Sequence, residues 1–170
     1  MFFQKERETM SRSKNEEIQL EGLKSTGRYC YDRVLFDKKK LDDAGVTPDQ
    51  IKTLDDIRRI PPTTKADLRD NDPFGLFAVP MRDIVRIHAS SGTTGKPTVV
   101  GYTKHDLDLW SDCMARLCAA AGATADDIVQ ISFGYGMFTG ALGLHYGLEK
   151  LGCPVVPNSS CTPEKALMFM

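Results

Sequence analysis

After Pro80 the spacing of apolar residues changes, and short β-branched runs begin to alternate with helical segments. The runs predict strands, and the segments between them predict helices: strands at 83–89, 98–102, 128–132 and 154–157, and helices at 103–121 and 140–151. Strands that alternate with helices pack as parallel strands joined by right-handed crossovers. The sequence therefore predicts an α/β protein with a βαβ-type partial sheet over residues 81–170.

The first 80 residues show a different pattern, and we interpret them as a helical N-terminal segment of short helices. Ser11 or Ser13 is a candidate cap for a helical region that extends to about residue 40. Thr53 and Asp56 match a capping box, and Thr64 begins another short helix. We expect 1–80 and 81–170 to be two regions of the chain.

Charge and cysteine content exclude several classes of protein. The 22 basic and 23 acidic side chains give a net charge of −1, and Lys38–Lys40 is followed by Leu41, Asp42 and Asp43, which favours a solvated helix face. We therefore expect no nucleic-acid partner. No apolar run approaches the ~18 residues of a membrane span. The odd count of five cysteines favours reduced thiols and a cytoplasmic protein.

The segment Ser90–Pro97 (SSGTTGKP) joins two predicted strands and is rich in glycine and hydroxyl groups. Such a loop offers unobstructed backbone N–H groups, hydroxyl donors and one lysine charge, which suits polyphosphate oxygens. It is not a Walker A loop, because only two residues separate its glycines and Pro97 follows the lysine. The alternative is a flexible hairpin loop of similar composition.

A second candidate site is the aromatic and glycine segment 132–140, which follows a predicted strand. Ligands commonly bind at the carboxyl ends of parallel strands. The alternative is a tight strand-to-helix turn with core aromatic residues. The next helix carries Gly140, Gly143 and Gly147 on one face, which predicts close packing against the sheet or a cavity wall.

The three histidines give weaker signals. His145 has no evident carboxylate or cysteine partner in the sequence, so we expect it to be packed or solvated. His88 lies two residues before the glycine-rich loop and could steady it, with direct catalysis as the less favoured role. His105 lies in the first turn of its helix and is expected to be exposed.

The loop SSGTTGKP resembles the phosphate loop of the adenylate-forming superfamily. Further segments narrow the resemblance to the phenylacetate-CoA ligase family: Asp67–Asp70, Pro73–Pro80, Val85–Ser91, Thr98–Thr103 and Gly134–Gly136. The similarity extends over nearly the whole chain. The chain departs from the family pattern at three places. The family usually has proline at the position of Leu35, a tyrosine near the position of Asp72 and tyrosine at the position of Phe133.

The resemblance implies a two-step reaction in which ATP and a carboxylic acid, expected to be phenylacetate, form an acyl-adenylate that coenzyme A converts to a thioester. Mg²⁺ is expected to accompany ATP. The resemblance assigns the phosphates to the loop (Ser90, Ser91, Gly92, Thr93, Thr94, Gly95 and Lys96) and the acid pocket to the aromatic segment (Phe133, Tyr135, Gly136 and Phe138). We expect no catalytic residue and no metal ligand within this chain.

The last residues begin a helix at Thr162 and Pro163 that has run for only a few residues when the sequence ends. We expect the chain to stop in mid-fold, as an incomplete AMP-binding domain without ligase turnover of its own. We also expect it to form a homo-oligomer or to require a C-terminal half. Two alternatives stay open: a ligase for another aryl or amino acid, and a non-catalytic, shortened binding module.

Overall fold

The computed structural model describes residues 2–92 and 97–168, and the chain divides into two compact units. The helical unit contains Thr9–Asp83 and Gly92–Val99, and the α/β unit contains Met1–Glu8, Ile84–Ser91 and Val100–Met170. Within the described ranges, every helix is too short or too polar to cross a bilayer.

The helical unit consists of one long helix followed by short helices and turns. The helices are α2 (Arg12–Arg33), α3 (Leu35–Asp43) and α4 (Lys65–Asp70), with 3-10 turns at Pro48–Gln50, Leu54–Arg59 and Met81–Asp83. The segment α1 (Lys5–Glu8) precedes them and belongs to the α/β unit. The prediction of a helical N-terminal segment is confirmed, with α2, at 22 residues, longer than the short helices expected.

The predicted helical region up to residue 40 is interrupted at Val34. This residue has extended backbone angles (φ −116°, ψ 108°), and its N–H donates to the Cys30 carbonyl at 2.9 Å, which ends α2. Its side chain is only 3% exposed and is buried like those of Leu41, Val46 and Ile51. The break between α2 and α3 therefore falls at a buried β-branched residue.

The helix starts in this unit follow the capping signals in the sequence. The Lys14 N–H donates to Ser11 Oγ at 3.3 Å, so Ser11 rather than Ser13 caps α2. Capping boxes are present at Thr53–Asp56 and Thr64–Asp67, as predicted, and the first of them begins a 3-10 turn. These side chains satisfy backbone N–H groups that have no partner within the helix.

The expectation of a fully solvated lysine run at Lys38–Lys40 is wrong for Lys40. Its ammonium group donates to the Pro62 carbonyl at 2.6 Å and to the Asp67 carboxylate at 3.1 Å, and its side chain is 19% exposed. Lys40 therefore connects α3 to the start of α4.

The remaining strands and helices of the described residues lie in the α/β unit, except that Val99, the first residue of β2, belongs to the helical unit. In chain order they are β1 (Ile84–Ala89), β2 (Val99–Thr103), α5 (Lys104–Ala120), β3 (Val129–Gln130), α6 (Gly140–Leu151), β4 (Val155–Val156) and α7 (Pro163–Leu167). The predicted helix 140–151 is reproduced in full. Strand β1 is one residue shorter than predicted, β2 keeps its length but is shifted by one residue, and β3 and β4 are reduced to two residues each. Thr103 caps α5 through the Asp106 N–H at 3.2 Å.

Strands β3 and β4 are parallel, with Val129 opposite Val155 and Gln130 opposite Val156, and α6 connects them. This pair confirms the βαβ prediction and the α/β class. Strands β1 and β2 form a separate two-stranded sheet in the described residues, whereas the sequence predicted a single series. Strands β3 and β4 have only two residues each, so the ladder of hydrogen bonds between them is short.

The core of the α/β unit lies between α5, α6 and the β3–β4 pair. Its buried members are Cys118, Ile131, Ala141, Leu148 and Cys153. Small residues dominate this set, so the two helices approach each other closely. The carboxyl end of β3 leads directly into the segment that precedes α6.

Candidate functional site

The first part of the candidate site follows β1. Ser90 and Ser91 are both exposed where they leave the strand. Gly92 has φ +64°, a conformation that favours glycine because a side chain would be strained there. The predicted phosphate-binding residues Thr93, Thr94, Gly95 and Lys96 lie outside the described residues.

His88 and Ala89, at the end of β1, contact the aromatic segment through one carbonyl group. The Ala89 N–H donates to the Met137 carbonyl at 3.1 Å, and His88 Nδ1 lies 2.9 Å from the same oxygen. His88 is 3% exposed, which makes it the buried polar side chain of the described core. The end of β1 and the segment after β3 are therefore joined by hydrogen bonds within the α/β unit.

The aromatic segment itself presents its rings unequally. Phe133 is 45% exposed and Phe138 is 53% exposed, whereas Tyr135 is half-buried and packs against the core of the α/β unit. Gly136 is exposed between them. Among the predicted pocket residues, Phe133 and Phe138 therefore present accessible rings and Gly136 presents accessible backbone. Tyr135 instead packs against the core.

His145 is packed, with 20% of its side chain exposed, and it has two side-chain partners that sequence reasoning did not identify. The Tyr135 hydroxyl lies 3.0 Å from His145 Nδ1, and His145 Nε2 lies 3.1 Å from a Glu149 carboxylate oxygen. Glu149 is one turn further along α6, a spacing at which helical side chains meet. Burial raises the pKa of the Tyr135 hydroxyl, and the Glu149 charge raises it further.

The glycines of α6 allow close packing, but mainly against α5 rather than against the sheet or a cavity wall. A Cβ atom at Gly143 would lie 2.6 Å from the Trp110 ring, and one at Gly147 would lie 2.4 Å from Met114 Cβ. A Cβ at Gly140 would lie 3.3 Å from the Phe133 ring. The glycines therefore hold α6 against α5 and leave room for a ring of the aromatic segment.

Ion pairing and metal ligation add little to this site. Lys150 pairs with Asp112 and lowers the pKa of that carboxyl through hydrogen bonding and charge. Within residues 2–92 and 97–168 there is no group of three or more His, Cys, Asp or Glu side chains that could hold a metal ion. All five cysteines are free. The described part of the candidate site offers exposed rings, serine hydroxyls and exposed backbone groups.

Sequence reasoning missed two residues that the structure adds to this region. Met137 contributes its carbonyl, and no side-chain pattern signals a backbone acceptor. Glu149 contributes its carboxylate to His145, and the spacing of four residues on a predicted helix could have found this pair.

Comparison with known proteins was made at three levels, and no family model matches the chain. The chain is 54% identical over 153 residues to the phenylacetate-coenzyme A ligase of Aromatoleum evansii, covering 90% of this chain and 35% of that protein. It is 52% identical over 170 residues to the corresponding ligase of Thermus thermophilus, covering 100% of this chain and 38% of the relative. The ligase of Escherichia coli is 52% identical over 158 residues, 93% of this chain and 36% of that protein.

The chain matches the N-terminal portion of phenylacetate-CoA ligases. It spans a little more than a third of the length of these curated relatives. These relatives confirm the resemblance to phenylacetate-CoA ligases that was inferred from the sequence.

Solved structures support the same fold for this ligase portion. A crystal structure of 2-hydroxyisobutyryl-CoA ligase with 2-HIB-AMP and CoA has a TM-score of 0.87 and 29% identity, covering 96% of this chain and 36% of that chain. An open conformation of that ligase has a TM-score of 0.88 and 27% identity, covering 99% and 40%. The fold is therefore that of the N-terminal part of an adenylate-forming CoA ligase.

Proposed function

We propose that this chain is the part of a phenylacetate-CoA ligase that binds the phosphates of ATP and one side of the acid. The observation that carries the proposal is the 52% identity to the Thermus thermophilus ligase over all 170 residues. The likeness to 2-hydroxyisobutyryl-CoA ligase, which was solved with an acyl-adenylate and CoA, supports an adenylate intermediate.

The proposed reaction has two steps. A carboxylate oxygen of phenylacetate attacks the α-phosphorus of ATP, forming the acyl-adenylate while the bond to pyrophosphate breaks. The thiolate of coenzyme A then attacks the acyl carbon, forming the C–S bond and releasing AMP. Mg²⁺ bound to ATP would neutralise phosphate charge during the first step.

The loop Ser90–Lys96 is proposed to hold the β- and γ-phosphates. Hydroxyls of Ser90 and Ser91 and the backbone at Gly92 would donate hydrogen bonds, while Thr93, Thr94 and Gly95 would extend this set. Lys96 would add one positive charge. Donors that are positioned before the reaction stabilise developing negative charge without reorganisation.

The aromatic segment is proposed to contact the aryl group of the acid. The exposed rings of Phe133 and Phe138 are available for that contact, and the backbone at Gly136 allows close approach. Tyr135 would act at the inner wall, because its hydroxyl is held by His145. Phe133 stands where relatives usually have tyrosine, which removes one hydrogen-bonding group from the proposed pocket and would favour an unsubstituted ring.

Several sequence-based expectations extend this proposal. The 170-residue chain by itself is expected to have no ligase turnover, because it spans about a third of its relatives. Exposed apolar residues on β1 and β2, Val85, Ile87 and Val100, support the expectation that further protein covers this face. Sedimentation of the purified chain would test whether a second copy does so.

The direct test measures binding of Mg·ATP to the purified chain by calorimetry. We expect weak binding that Lys96→Ala abolishes and that Lys104→Ala leaves unchanged, since Lys104 is an exposed lysine outside the loop. Binding that survives Lys96→Ala would remove the loop from the proposal.

Activity is tested by joining this chain after residue 170 to the remaining two thirds of the Thermus thermophilus ligase, which it matches along its whole length. We expect pyrophosphate exchange that depends on phenylacetate more than on benzoate or an amino acid. Exchange driven only by another acid would favour a different adenylate-forming ligase. A purified 170-residue chain that makes phenylacetyl-CoA at a normal rate would contradict the expectation that this chain has no ligase turnover by itself.

A further inference from the structure

The Met137 carbonyl accepts two hydrogen bonds from consecutive residues at the end of β1. The donors are the Ala89 N–H at 3.1 Å and the His88 ring at 2.9 Å. The Met137 side chain, in contrast, is 62% exposed. The contribution of this residue to the α/β unit is therefore made by its backbone.

The ring of His88 is held in one orientation by its surroundings. It lies edge-on to Tyr102, with centroids 5.6 Å apart, and edge-on to Trp110, with centroids 5.9 Å apart. Tyr102 and Trp110 stack on each other at 5.4 Å, so the three rings form one aromatic cluster. A ring enclosed in this way directs its Nδ1 atom at Met137 without a choice of rotamer.

The chemistry of this contact requires a donor on the His88 ring. A carbonyl oxygen only accepts hydrogen bonds, so Nδ1 carries the proton. The other nitrogen, Nε2, is buried and has no hydrogen-bond partner among the described residues. An unpaired buried nitrogen is unfavourable, and a phenylalanine would fill the same space without it. The bond to Met137 is the feature of His88 that offsets this penalty.

The two ends of this contact belong to the two parts of the proposed site. His88 precedes Ser90 by two residues, and Met137 lies between Gly136 and Phe138. We propose that His88 is a positioning residue that holds the acid-binding segment against the strand end leading into the phosphate-binding serines. This inference rests on the proposed function for the roles of the two segments, whereas the contact itself stands independently of it.

Two substitutions separate hydrogen bonding from packing at this position. His88→Asn keeps an N–H group close to the position of Nδ1 and removes both the ring and the unpaired Nε2. His88→Phe keeps an aromatic ring and removes the donor. A residue that only packs would be replaced best by phenylalanine, and a residue that positions Met137 would be replaced best by asparagine.

The first experiment measures amide hydrogen exchange at Ala89, whose N–H donates to the Met137 carbonyl, in the 170-residue chain by NMR. We expect this amide to exchange about ten-fold faster in His88→Phe, the scale of one lost hydrogen bond, and within about three-fold of the original chain in His88→Asn. The opposite order, with His88→Phe unchanged and His88→Asn faster, would overturn the proposal and leave His88 as a packing residue.

A measurement on the unsubstituted chain keeps the proposal testable if either variant fails to fold. Nitrogen NMR of the His88 ring identifies which ring nitrogen carries the proton. We expect a proton on Nδ1. A ring protonated on Nε2 alone cannot donate to Met137 and would overturn the proposal.

The second experiment asks whether the contact matters for ligands. Phenylacetate is titrated into each chain while the Phe138 amide is observed, and pyrophosphate is titrated while the Ser90 and Ser91 amides are observed. We expect His88→Phe to weaken phenylacetate binding about ten-fold, more than it weakens pyrophosphate binding, and His88→Asn to stay near the original affinity. Equal affinities in all three chains would overturn the positioning role.

These two experiments distinguish failure of the inference from failure of the proposed function. If phenylacetate and pyrophosphate do not shift these amides in the original chain, the assignment of the two segments fails. The exchange rates and the protonated ring nitrogen still decide whether His88 holds Met137.

Discussion

The helical unit and the α/β unit differ in how their elements are determined. In the helical unit, starts of helices and turns are set by side chains a few residues away, as at Thr53–Asp56 and Thr64–Asp67. In the α/β unit, the decisive contacts join residues far apart in the sequence, such as Gly147 with Met114 and His88 with Met137. Local signals are readable from sequence, and distant contacts require the fold.

This difference predicts that single substitutions affect the two units unequally. The chain has one tryptophan, Trp110, which lies in the α/β unit. Its fluorescence therefore follows unfolding of that unit, whereas far-ultraviolet circular dichroism also follows the long helix α2 of the helical unit.

The largest expected effect is that of Gly147→Ala. The added Cβ would lie 2.4 Å from Met114 Cβ and 2.8 Å from the Met114 backbone carbon, so α5 and α6 must separate. We expect a loss of about 3 kcal/mol of unfolding free energy in urea, followed by Trp110 fluorescence. The matched control is Gly22→Ala in α2, where nothing lies within 4 Å of the added atom. That change should stabilise the helical unit by about 0.5–1 kcal/mol. Equal effects of the two substitutions would contradict the comparison.

The next effect is that of Tyr135→Phe, which removes a hydroxyl and leaves His145 Nδ1 without its partner at 3.0 Å. We expect the unfolding free energy, followed by Trp110 fluorescence, to fall by about 1.5 kcal/mol. Tyr146→Phe, one residue after His145 on α6, is the control, because Tyr146 is 39% exposed. A control that costs as much as Tyr135→Phe would show that the bond to His145 is unimportant.

A smaller effect is expected at a helix cap in the helical unit. Thr64→Ala removes the oxygen that accepts from the Asp67 N–H at 3.2 Å, and should cost about 1 kcal/mol in the circular dichroism transition. The control is Thr63→Ala, one residue earlier, which removes a hydroxyl that does not cap the helix. It should lower the unfolding free energy by less. If the fluorescence transition moves as far as the dichroism transition, the two units unfold together.

The smallest effect is a pH dependence. Hydrogen bonds from the backbone N–H groups of Lys52 and Thr53 lower the pKa of Asp56 from 3.8 to about 2. Because the folded pKa is lowered, the stabilisation is present above pH 3.8 and is lost as the pH falls through about 2. Asp56→Asn should reduce this acid dependence, and Asp55→Asn should leave it in place. Titrating thermal unfolding between neutral and acid pH would compare them.

The fold class was predictable because its signals are local. The capping residues and the apolar periodicity of α5 and α6 lie within a few residues of the elements that they define. The split into two small sheets was not predictable, because strand pairing depends on contacts between distant segments. The partition at residue 80 and the cytoplasmic location stay predictions.

The candidate site was predictable in part. Hydroxyl and glycine density singled out the segment after β1 as a candidate site, and alternating rings and glycines singled out the segment after β3. Their assignments to phosphates and acid stay predictions. The partners of His145 and the carbonyl of Met137 were missed for different reasons. Glu149 has the spacing of a helical neighbour, whereas a backbone acceptor carries no residue-type signal, because every amino acid has one.

The Met137 contact has a consequence for how this region tolerates mutation. Any amino acid at position 137 brings the same carbonyl oxygen, and the methionine side chain is largely exposed. A saturation library would therefore record position 137 as permissive and position 88 as restrictive, although the two residues share one hydrogen bond. Ranking positions by their sensitivity to substitution would find only one partner of this pair. Engineering of the proposed acid pocket could vary residue 137 freely while keeping His88 unchanged.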